Sequence, residues 1–124
     1  MKINEIPEVM AEYNNDFIFA FCTFLDEFYR ADNDEKKLLL ADEPQRGNLK
    51  KKDWCMLACA AHKLANNNKI IPPEWVYDKK FIMKKPVYAF GTKNKEYQKF
   101  LKETSPEEYR LKNIFYGDNV LKRV

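Results

Sequence analysis

The run Trp-Cys-Met-Leu-Ala-Cys-Ala-Ala, from Trp54 to Ala61, carries no charged or strongly polar side chain on any face. A helix that is apolar all round is stable only when neighbours surround it, so this stretch is expected at the buried centre of a bundle. The central helix is placed at about residues 49–67. Its small residues Ala58, Ala60 and Ala61 let neighbouring helices approach closely, and Asn66, Asn67 and Asn68 end it, asparagine tolerating the left-handed conformation common past helix ends.

The flanking sequence supplies the cover. Met10, Tyr13, Phe17, Phe21, Phe24, Leu25 and Phe28 recur at three- and four-residue steps, which predicts one long amphipathic helix over about residues 7–30, with Pro7 in its first turn. Asp32 or Asn33 caps a second helix with Leu38, Leu39 and Leu40 as its buried side, and Pro44 helps stop it. Pro72 and Pro73 favour extended backbone before a single turn at Glu74 to Tyr77. The whole segment, residues 70–92, reads as an irregular aromatic strap over the bundle, anchored by Trp75, Tyr77, Phe81, Tyr88 and Phe90; a short hairpin is the alternative. Thr92 is read as the cap of a further helix with Tyr97, Phe100 and Leu101 inward. Ser105, Pro106 and Glu108 form a capping-box pattern for a short helix that Ile114 to Gly117 breaks.

Composition agrees with this all-α, single-domain reading over residues 1–124. The hydrophobic share is 45% and the aromatic share 15%, enough for a core, and three glycines are too few for the many tight turns of a sandwich or barrel. No apolar run approaches the ~20 residues of a membrane span. Met1 to Glu8 lacks an apolar signal region, so no secretory leader is expected. The three cysteines, Cys22, Cys55 and Cys59, are an odd number that fits reduced thiols, hence a cytoplasmic location. Charge is segregated. Residues 1–45 hold eleven acids and four bases, a net −7, and the remainder holds eighteen bases and eight acids, a net +10. Either the two parts face each other within the fold or an oligomer, or the basic part meets an anionic partner.

Few patterns speak for chemistry. Cys55, Cys59 and His62 share a helical stripe, but three ligands on consecutive turns converge poorly on one ion, so no metal or other cofactor is expected. His62 has no nucleophile or orienting carboxylate in its sequence context. Asp32 to Glu35 lacks the glycine and distal glutamate of a calcium loop, and glycine-rich phosphate loops are absent. The chain is therefore read as non-enzymatic. Lys50, Lys51, Lys52, Lys79, Lys80, Lys84, Lys85, Lys93, Lys95, Lys99 and Lys102, interleaved with Tyr77, Phe81, Tyr88 and Tyr97, are the residues a nucleic-acid reading would use. Lysine predominates over the arginine that base recognition favours, and no helix-turn-helix pattern is present.

The carboxyl-terminal half carries a pattern: Pro72-Pro73-Glu74-Trp75-Val76, an aromatic segment, then Ser105, Pro106, Tyr109, Arg110, Lys112, Asn113, Ile114, Phe115, Asn119, Leu121, Arg123 and Val124. This resembles the tail of small bacterial helical proteins, some of which are associated with a helix-turn-helix module and with toxin–antitoxin-like gene pairs. The resemblance implies a bacterial interaction protein, antitoxin-like, that acts by covering a protein partner; a nucleic-acid-binding accessory role is the alternative. The partner-binding candidates are Lys79, Lys80, Lys84, Lys85, Arg110, Asn113 and Arg123.

Overall fold

The computed structural model describes residues 1–123. Its helices are α1 (Ile6–Glu12), α2 (Phe17–Arg30), α3 (Asn33–Leu40), α4 (Lys51–Asn67), α5 (Lys95–Thr104) and α6 (Glu107–Arg110). Two short strands, β1 (Val87–Tyr88) and β2 (Ile114–Phe115), complete the order. The architecture is an all-α bundle about α4. Every residue of α4 from Cys55 to His62 is buried, as a helix without a polar face requires. Around it pack Phe24, Leu25 and Phe28 of α2, Leu39 and Leu40 of α3, Val76 and Phe81 of the following segment, and Tyr109, Ile114 and Leu121 of the tail.

The expected long first helix is broken. Asn14 and Asn15 take left-handed conformations with φ of 58° and 57°. Asp16 then restarts the chain as a cap, accepting from the Phe19 N–H at 3.0 Å. Asparagine pairs tolerate this backbone and aspartate favours caps, so a turn signal overrides a helical period that continues through it. In α3 the cap is Asp32, accepting from Glu35 N–H at 2.9 Å. Leu39 and Leu40 are buried, but Leu38 is 62% exposed, since three consecutive residues cannot share one helix face.

The end of α4 also differs from expectation. The left-handed residue is Lys69, at φ 57°, and no asparagine takes that role. The Ile70 N–H reaches back to the Ala65 carbonyl at 2.8 Å, a Schellman-type closure. Asn68 instead uses its side-chain amide, which donates to the Leu64 carbonyl at 2.7 Å.

Beyond α4 the expected turn at Glu74–Tyr77 is present. Trp75 donates its indole N–H to the Leu40 carbonyl at 3.1 Å, and Trp54 does the same to Pro44 at 2.9 Å. Tyr77 and Phe90 are exposed, contrary to their expected anchoring role. No hairpin forms: β1 pairs in parallel with β2 of the tail, Val87 opposite Ile114 and Tyr88 opposite Phe115. The residues read as a helix break are thus a strand partner.

The cap of α5 is Asn94, accepting from Tyr97 N–H at 3.0 Å, in place of Thr92. Of its three expected inward residues only Leu101 is buried. The capping box is not made. The Ser105 hydroxyl donates backwards to the Leu101 carbonyl, and Glu108 accepts from the Asn66 amide at 2.9 Å. No helix among the described residues is long and apolar enough to cross a membrane.

Leu57 on α4 is fully buried. Leu57→Ala is expected to cost about 2–5 kcal/mol, because the surrounding helices cannot collapse onto the void. The measurement is a lowered urea midpoint at unchanged slope.

Candidate functional site

The described residues form a cleft of about 950 Å³. It is lined by the first part of α2, with Phe17, Ile18, Phe21, Cys22 and Leu25, and by Pro86, Val87, Tyr88, Phe90, Gly91 and Thr92. The start of α4 contributes Lys50, Lys52, Asp53 and Met56, and the tail contributes Tyr116, Val120, Lys122 and Arg123. The interior is apolar, and Phe17 and Phe21 stack within it at 5.6 Å.

The rim is more unusual than the interior. Phe90 is 93% exposed and Ile18 64% exposed, both at the cleft. Residues 89–92 form a tight turn closed by Thr92 N–H to the Ala89 carbonyl at 3.3 Å. Its two central residues, Phe90 and Gly91, have φ of 59° and 61°. Such primed turns belong to glycine, asparagine and aspartate, so a bulky phenylalanine there is a strained choice. Next to Ile18 in the chain, Phe19 exposes its ring, 4.9 Å from that of Tyr13 at the end of α1.

Two titratable groups in the cleft are perturbed. Burial pushes the Asp53 carboxyl above its usual range, against the pull of Lys52 and Lys50. Burial also raises the Tyr116 hydroxyl, with the Asp53 charge adding to it. Both shift towards their neutral forms, as burial in a largely apolar recess favours.

The residues singled out from sequence are dispersed. Lys80 pairs with Glu43 at 2.8 Å, and its ammonium lies 5.8 Å from the Trp54 ring centre. Arg123 grips Asp26 through two bonds, of 2.8 and 3.1 Å. Asn113 takes φ 63° and ties the tail to residues 83–87: its amide donates to the Met83 carbonyl at 3.0 Å, and its own carbonyl accepts from Val87 N–H at 3.0 Å. Lys79, Lys84, Lys85 and Arg110 are exposed and make no ion pair among the described residues. Of the seven candidates only Arg123 reaches the cleft. Trp75 does not line it; the ring packs on Phe81 at 5.6 Å. Sequence reasoning missed Ile18 and Phe90 as rim residues. The available signal was Phe90-Gly91 leading into Thr-Lys-Asn, a turn composition that puts a large ring where no core position is expected.

The cysteine–histidine stripe lies apart from the cleft. No cluster of three or more His, Cys, Asp or Glu side chains able to hold a metal ion occurs among the described residues. Burial pushes the Cys59 thiol far up, leaving it an inert core group. His62 is buried with Nδ1 lacking a partner, its ring edge-on to Tyr77 at 5.0 Å. Burial lowers its pKa, and the Lys112 ammonium adds to this against Glu108 and Glu107. Lys112 is itself only 4% exposed, and burial lowers its pKa too.

Two outcomes follow. Phe90→Gly should raise stability by about 0.5–1 kcal/mol in chemical denaturation, since relief of the left-handed strain exceeds the entropy glycine adds to the unfolded chain. For His62 the folded pKa lies below the unfolded value of 6.5, so in the window between them the unfolded chain binds the extra proton. Stability therefore falls as pH drops through that window. Thermal midpoints between about pH 7.5 and 5 should fall less in His62→Leu than in the parent chain.

Comparison with protein-family models, with curated proteins and with solved structures finds no match to the chain. The tail's resemblance to small bacterial helical proteins has no counterpart there.

Proposed function

We propose that the chain is a non-enzymatic interaction protein that docks a protein partner over the cleft and acts by covering part of that partner's surface. The observation that carries this reading is Phe90. A solvent-facing ring held in a strained turn at the mouth of an apolar cleft contributes nothing to the core. Strain of this kind concentrates where a surface has a task. With Ile18 it puts two exposed apolar side chains at the cleft, of the sort that mark binding sites. In this reading residues 70–92 are a strap whose Trp75 and Phe81 hold the core while Phe90 presents outward. An antitoxin-like role in a bacterial cytoplasm, which the tail resemblance implies, is one setting for such occlusion.

The nucleic-acid alternative would use Lys79, Lys80, Lys84, Lys85, Arg110 and their neighbours. Lys80 is already held by Glu43, and the exposed lysines do not gather at the cleft. Two measurements separate the readings. The protein is expected to bind generic duplex and single-stranded DNA weakly, with no steep loss between about 50 and 200 mM salt; tight, strongly salt-dependent binding would favour the nucleic-acid role. Co-expressed with the product of the neighbouring gene, the parent chain is expected to co-purify with it and Phe90→Gly to lose most of that capture. Capture that ignores Phe90 would remove the cleft from the interface.

A further inference from the structure

Resting on the docking reading, the charge around the cleft names the chemistry of what docks. Lys50, Lys52 and Lys122 line it and make no ion pair among the described residues. Arg123 is there but is occupied by Asp26. Two acids, Asp16 and Asp53, also line it, so the four bases leave a positive balance. Asp16 gives its carboxylate to the Phe19 N–H at 3.0 Å, and Asp53 is half-buried at the start of α4. That helix begins with no side-chain cap on its first N–H groups, so the positive end of a 17-residue dipole adds to the lysines. Between the cations the surface is aliphatic and aromatic, with Leu25, Met56, Val87 and Val120.

We infer that the cleft receives an acidic amphipathic helix of a partner protein. Apolar side chains at three- and four-residue spacing enter the trough, and Glu or Asp carboxylates meet Lys50, Lys52 and Lys122. A nucleic-acid strand would satisfy the cations but leave the aliphatic trough without a use. A small anionic amphiphile would fill the trough but leave Phe90 and Ile18, which project outward, uncovered. An amphipathic helix presents both kinds of group at once, an apolar stripe for the trough and carboxylates beside it for the cations.

The test pans phage-displayed random peptides of about 16 residues, long enough for four helical turns, on three forms of the full chain. These are the parent, Lys50→Glu/Lys52→Glu/Lys122→Glu, and Ile18→Asp/Phe90→Gly, each checked for folding by circular dichroism. The parent should select net-negative peptides with helical apolar spacing, binding the charge-reversed form about tenfold or more weakly. The charge-reversed form should select net-positive peptides, and Ile18→Asp/Phe90→Gly should select neither. Amide shifts of the parent on titration with a selected peptide should cluster in residues 15–25 and 86–92, which keeps the test decisive if a variant fails to fold. A pool without charge bias that still depends on Ile18 and Phe90 overturns the acidic helix and leaves the docking reading standing. A pool indifferent to both residues overturns the two together. Displacement of selected peptides by dodecanoate or by single-stranded DNA, or self-association that the lysine reversals abolish, would put a different occupant in the cleft and overturns the inference.

Discussion

The structure depends on keeping α4 dry. A helix with no polar face must be covered on every side, and the rest of the chain is arranged to do so with short elements. The cover demands care with polar groups at its edges. Trp54 and Trp75 each press a ring inward yet place the indole N–H on a backbone carbonyl, of Pro44 and Leu40, so neither donor is stranded. The Ala58, Ala60 and Ala61 positions let the cover approach. Enclosure stops at the first turn of α4, where Lys50, Lys51 and Lys52 cannot be buried. The cleft borders that turn, with Lys50, Lys52 and Asp53 in its lining.

Charge segregation along the sequence is partly resolved within the fold. Glu43 meets Lys80, and Asp26 meets Arg123, each joining the acidic first part to the basic second part. These pairs are solvent-exposed, so each adds little stability and chiefly fixes position. Arg123 shows what that means: with the Tyr29 hydroxyl donating to the Leu121 carbonyl at 2.6 Å, it pins the tail against α2 and so builds one wall of the cleft. Arg123 and Asn113, two of the partner-binding candidates, thus make structural contacts, while Lys50, Lys52 and Lys122 at the cleft make no ion pair among the described residues.

Much of the fold was legible because it follows from hydrophobic period and from the one uncharged helix. Cys55 to Ala61 had nowhere to go but the centre. Boundaries were less legible wherever two local signals competed. Tyr13 to Asp16 keeps a helical apolar period, yet Asn14 and Asn15 turn the chain. Ser105 to Glu108 spells a capping box, yet the serine hydroxyl finds a nearer acceptor in Leu101, and Glu108 finds Asn66. The pairing of β1 with β2 was not legible at all, because a two-residue parallel contact leaves no periodicity. The cleft shares that fate: its walls come from four separated stretches, and only their three-dimensional meeting makes Ile18 and Phe90 neighbours of one mouth.

Phe90 stands apart from the other residues with left-handed backbone, and the contrast argues for its role. Asn14 and Asn15 bend the chain between α1 and α2, closed by Asn15 N–H to the Met10 carbonyl at 2.9 Å. Lys69 ends α4, and Asn113 stitches the tail to residues 83–87. Each has a structural reason, and three of the four are asparagines, for which the conformation is cheap. Phe90 has neither excuse. Its turn would close equally well, and with less strain, around glycine or asparagine, and its ring covers no core. Stability alone gives no reason for that ring at that angle, whereas the docking proposal does: it needs an apolar side chain held ready at the mouth of the cleft.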